Sequence, residues 1–110
     1  MEHYEVFVHE TAKADIRDAI GYIAKTLREP NTARAMSERL RDAILSLNSM
    51  PERFPLAKDN YLSTLGIRVT SVGNYLIFYV VNHEDRRVDI SRVLYGKRDW
   101  IRILTENNTL

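Results

Sequence analysis

The chain has 110 residues, with 16 Lys and Arg against 15 Asp and Glu. That length fits one domain, residues 1–110, and leaves no room for two. Apolar residues make up 45% and charged residues 28%, which excludes whole-chain disorder, and the zero cysteine count excludes a disulfide framework, a thiolate zinc site and a cysteine nucleophile.

The first element is a short β-prone stretch in which Tyr4, Val6 and Val8 share one face. Thr11 is a candidate N-cap for a first helix, whose apolar stripe runs through Ala12, Ile16, Ala19, Ile20, Ile23 and Leu27. Asp15 and Asp18 read as helix-start and solvent-face charges rather than an acid/base pair. Pro30 stops this helix. Asn31 or Thr32 caps a second one, with a stripe at Ala33, Met36, Leu40, Ala43, Ile44 and Leu47. About three residues join the two stripes, so the helices pair antiparallel as a hairpin.

Residues 51–65 contain Pro51 and Pro55 and show no clean period, which predicts a loop pinned by Phe54, Leu56 and Leu62. Residues 67–72 then alternate imperfectly, and Gly73-Asn74 is a turn signal. Residues 75–81 are apolar on both faces, as in a central strand covered on both sides or covered by a partner. That run is too short to span a bilayer. After a turn at 83–86, residues 87–91 alternate cleanly, while 92–95 break the alternation as a bulge or strand end would. Trp100, Ile101 and Leu104 recur at helical spacing, and the tail 107–110 is expected to fray. The order β-α-α-β-β-β-α predicts an α+β fold in two layers, a helical hairpin on a small antiparallel sheet.

No metal spacing links His3, His9 and His83, and the four glycines are scattered, so neither a metal, a cofactor nor a phosphate-cradling loop is expected. Residues 1–65 carry 9 Lys and Arg and 10 Asp and Glu; residues 66–110 carry 7 and 5. This bias is too weak for sequence-specific DNA binding by the chain alone. Arg92 stands where alternation calls for an apolar inward residue, so it needs Asp89, Asp99 or Glu52 as a partner, or an anionic ligand. The first residues contain neither a basic n-region nor an apolar h-region, so no signal peptide or membrane segment is expected and a cytoplasmic location is inferred.

The segments Gly73-Asn74-Tyr75-Leu76-Ile77-Phe78-Tyr79 and Arg92-Val93-Leu94-Tyr95-Gly96-Lys97-Arg98-Asp99-Trp100 resemble the RelE/ParE superfamily of type II toxin–antitoxin toxins. Thr11-Ala12, Asp15-Ile16, Tyr22-Ile23 and Met50-Pro51-Glu52-Arg53 agree with it. The resemblance implies growth arrest as the activity and a cognate antitoxin as the partner, with Ile77, Tyr79 and Val81 as candidate antitoxin contacts. Arg68, Tyr75, Arg92, Lys97, Arg98 and Trp100 become candidates for binding the cellular target.

Two mechanisms divide the superfamily. RelE-like members cleave ribosome-bound mRNA; here Arg68, Arg92, Arg98 and Tyr95, or Tyr61 as proton donor, would serve. Leu76 and Leu104, however, stand where such enzymes carry an arginine and a tyrosine. ParE-like members poison DNA gyrase without a known catalytic site, and the two motifs favour that branch. A degenerate module that only binds its antitoxin is the third reading.

Overall fold

The computed structural model describes residues 3–96 and 100–106. Its elements are β1 (Glu5–Val8), α1 (Glu10–Gly21), α2 (Pro30–Leu45), α3 (Asn60–Thr64), β2 (Ile67–Val72), β3 (Tyr75–Asn82), β4 (Arg87–Tyr95) and α4 (Trp100–Glu106). The last three strands form the expected antiparallel meander. β1 joins it parallel to β4, giving a four-stranded mixed sheet in the order β1-β4-β3-β2.

The helix starts differ from expectation. His9 occupies the N-cap position of α1 without a side-chain cap, while the Thr11 hydroxyl donates to the Ser91 carbonyl at 3.2 Å. α2 begins at Pro30 itself, one residue before the expected caps; proline lacks only a donor that is unpaired there in any case. In the 51–65 segment, Asp59 caps α3 by accepting from the Leu62 N–H at 3.0 Å. Leu62 is fully buried, whereas Leu56 stays exposed.

Both faces of the sheet are covered, so the molecule has three layers rather than two. On one face, α1 and α2 bury Ala12, Leu40 and Ile44 against Ile77, Tyr79, Val88 and Ile90. On the other, Leu62 of α3 and Leu104 of α4 close over Ile67, Phe78 and Leu94, and Trp100 stacks on Phe78 at 5.2 Å between centroids. The continuous apolar run of β3 is thereby satisfied from within the chain. Each fully buried Ile or Phe side chain contributes about 1.5–3 kcal/mol. Ile77 and Tyr79 have no exposed surface at all, and the Tyr79 hydroxyl donates to the Pro51 carbonyl at 2.7 Å. Of the three expected antitoxin contacts, Ile77 and Tyr79 thus lie in the core of the folded chain, and Val81 is half-buried.

The broken alternation in β4 is a bulge. Phe78 pairs with Arg92 and Tyr79 with Ile90, leaving Ser91 as the extra residue.

Candidate functional site

The bulge and the end of β1 together set up one edge of the sheet. β1 pairs with β4 only as far as Ile90. Beyond that point α1 takes over: the Thr11 hydroxyl bonds the Ser91 carbonyl, and Asp15 accepts the Val93 N–H at 3.0 Å. The same carboxylate receives the Arg92 guanidinium in a two-pronged contact, Nε to Oδ2 at 2.7 Å and the terminal nitrogen to Oδ1 at 2.9 Å. Both side chains are 12% exposed. The contact with Asp15 raises the Arg92 pKa above its ordinary value, against the opposing effect of burial. Asp15 is therefore neither a solvent-face charge nor idle. Of the expected partners, Asp89 is held by His9 and Arg87 and Glu52 by Arg68 and His83, while Asp99 lies outside the described residues. The signal for Asp15 was present in its spacing, three residues after Ala12 and four before Ala19, inside the apolar stripe.

Arg68 is likewise committed. It donates to the Phe54 carbonyl at 2.7 Å and to the Glu52 carbonyl and carboxylate at 3.3 Å each. Tyr95 lies elsewhere. It pairs with Tyr75 across β3 and β4, whereas Arg68 of β2 pairs with Tyr79 of β3, which puts the backbones of Arg68 and Tyr95 on the order of 15 Å apart. The nuclease set expected from the sequence is thus not gathered around one point; its fourth member, Arg98, and the target candidate Lys97 lie outside the described residues. Among the described residues no group of three or more His, Asp or Glu is placed to hold a metal.

What the fold does gather is a groove of about 720 Å³ beside the turn that connects the two helices of the hairpin. α1 leaves regular geometry at a π-helical turn, Tyr22–Thr26, closed by the Leu27 N–H on the Tyr22 carbonyl at 3.0 Å. Arg28 then adopts a left-handed backbone, φ 55°, and the Glu29 N–H returns to the Ile23 carbonyl at 3.1 Å. Such wide turns reorient side chains and often mark functional surfaces. Here the turn leaves Tyr22 53% and Leu27 48% exposed. Across the groove stand Tyr75 and Tyr95, packed edge to face with ring centroids 5.6 Å apart. Burial pushes the Tyr75 phenol pKa up, and Tyr95 and then Tyr22 add to the rise. Of the expected target contacts among the described residues, Tyr75 alone lines this groove; Trp100 belongs to the core of the opposite face. Sequence reading missed Tyr22, whose spacing put it beside the apolar stripe of α1 but gave no sign of the wide turn that projects it.

A family model, ParE toxin of type II toxin-antitoxin system, parDE, matches residues 6–100. A chromosomal ParDE system from P. aeruginosa superposes with a TM-score of 0.71 at 12% identity, over 86% of this chain and 98% of that one. The toxin–antitoxin complex RelBE2 from Mycobacterium tuberculosis gives 0.61 at 21% identity, over 84% and 98%. A doubly substituted E. coli toxin RelE in the free state gives 0.63 at 15% identity, over 98% and 99%. No curated protein matches the chain in sequence.

Proposed function

The chain belongs to the ParE toxin family of type II toxin–antitoxin systems, and from that premise we propose that it arrests growth by binding and poisoning DNA gyrase and is silenced by a cognate antitoxin. The observation that carries this reading is the fate of the would-be nuclease groups. Arg92 is neutralised by Asp15 and Arg68 by Glu52 and two carbonyls, so neither guanidinium is free to stabilise a scissile phosphate. Leu104 is fully buried in the second core and Leu76 packs against that core, so the positions at which RelE-like enzymes carry a tyrosine and an arginine serve the core. A protein that acts by binding needs no such groups.

No helix among the described residues is long and apolar enough to cross a membrane, and both partners proposed for it belong in the cytoplasm. Purified protein added to gyrase should inhibit supercoiling and leave cleaved plasmid. Primer extension on mRNA after induction runs in parallel. Codon-positioned cuts with gyrase untouched would transfer the chain to the ribonuclease branch. Normal growth under strong production of the folded protein would leave only the antitoxin-binding module.

A further inference from the structure

The tyrosine-lined groove has the shape and chemistry of a binding site. Its walls are apolar and aromatic, with Ile23 and Leu27 facing Tyr75, Val93 and Tyr95. Among the described residues its charges are all of one sign: Asp15, Asp18 and Glu29 line it, and no described Lys, Arg or His does. Asp15 is already neutralised by Arg92. Asp18 and Glu29 are exposed and have no ion-pair partner among the described residues.

Two free carboxylates beside three tyrosine rings present the faces and the charge that attract a cation. The apolar walls call for aliphatic neighbours on the same ligand, and an aliphatic segment alone would leave the carboxylates unanswered. Arginine suits the site better than lysine, because its planar guanidinium stacks on a phenol ring while still bonding a carboxylate. A nucleic-acid phosphate is repelled by the same two carboxylates.

We propose that this groove is the docking site for an arginine-bearing aliphatic segment of the antitoxin, with the guanidinium seated between Asp18, Glu29 and the tyrosine rings. The inference rests on the toxin reading above for the identity of the partner, but the chemistry of the occupant follows from the groove itself.

The test uses the full chain and capped peptides with a central Arg flanked by Leu and Val, compared with versions carrying citrulline or Glu. Calorimetric titration should show the Arg peptide binding at least about tenfold more tightly than the citrulline one. Raising salt from about 0.05 to about 0.5 M should weaken it. The double variant Asp18→Asn/Glu29→Gln should lose the same factor with its melting temperature kept, because both side chains face solvent. Tyr22→Ala, also at an exposed position, should weaken binding independently. Equal affinity for the Arg and citrulline peptides, failure of the Arg peptide to bind, or unchanged binding by the double variant would overturn the proposal. Induction of the wild-type chain reads the toxin assignment separately: no growth arrest sinks that assignment, while the peptide titrations still decide the groove.

Discussion

Asp15 and Arg92, 77 positions apart in the chain, meet in a two-pronged ion pair that fastens α1 to the bulged edge of β4. The same carboxylate also satisfies the Val93 N–H, an amide that β1 ends too early to pair. One side chain thus neutralises an inward-placed cation and closes a sheet edge that would otherwise be open to another strand.

Removing one member of this pair should cost more than removing both. Asp15→Ala leaves a mostly buried guanidinium and an amide unpaired, an expected loss of about 2–4 kcal/mol, or on the order of 10 °C in melting temperature. Asp15→Asn keeps acceptor geometry and should lose less. The double variant Asp15→Leu/Arg92→Met should recover part of the loss, since it leaves no uncompensated charge. Thermal denaturation of these three variants beside the wild type measures the difference, and equal losses for Asp15→Ala and the double variant would contradict it.

Arg68 is expected to behave as a structural residue and not as a target contact. Arg68→Ala removes hydrogen bonds to two carbonyls and a carboxylate, worth about 1–3 kcal/mol together, and frees the segment carrying Phe54 and Ala57. Amide exchange at Ala57, whose N–H bonds the Ile67 carbonyl at 2.8 Å, should accelerate. Arg68→Lys should not restore protection, because an ammonium cannot span the three acceptors as the planar fork does. A variant of unchanged stability that no longer poisons the cell would assign Arg68 to target binding.

Leu104 holds α4 on the sheet. Leu104→Ala should destabilise by about 2–5 kcal/mol through lost transfer energy and a cavity beside Phe78. Trp100 fluorescence should shift to the red, because the stacking on Phe78 depends on α4 staying docked. Unchanged emission with reduced stability would place the damage elsewhere in that core.

Alkaline pH should weaken the fold through two phenols. Burial raises Tyr75 above the ordinary 10.0, with help from Tyr95 and Tyr22. Burial also raises Tyr79, although Arg68 and Arg53 pull it down and Glu52 pushes it up. The unfolded chain ionises these groups first, so it sheds protons that the folded chain retains. Stability is therefore constant below about pH 9 and falls as pH rises through 10 towards the higher folded values. Denaturant midpoints against pH should show that decline, and Tyr75→Phe should make it shallower.

Fold features are legible in the sequence wherever a period or a turn residue carries the information. The helical stripes from Ala12 and Ala33, the turn at Gly73 with its φ of +57°, and the disturbed alternation at Arg92 all correspond to real features. The wide turn at Tyr22 did not show, because a π-helical turn preserves the residue types of an ordinary helix and changes only which carbonyl each amide reaches.

The chain alone determined the order of elements, the antiparallel meander and the presence of an inward cation needing a partner, since all three arise from interactions between near neighbours. Only the tertiary structure decided which carboxylate answers Arg92, that α3 and α4 rather than a partner cover the second face of β3, and that Tyr22 meets Tyr75 and Tyr95 across a groove. Each of these joins residues distant in sequence. Such contacts are selected by competition among all surfaces of the folded chain, and no local pattern records which one wins.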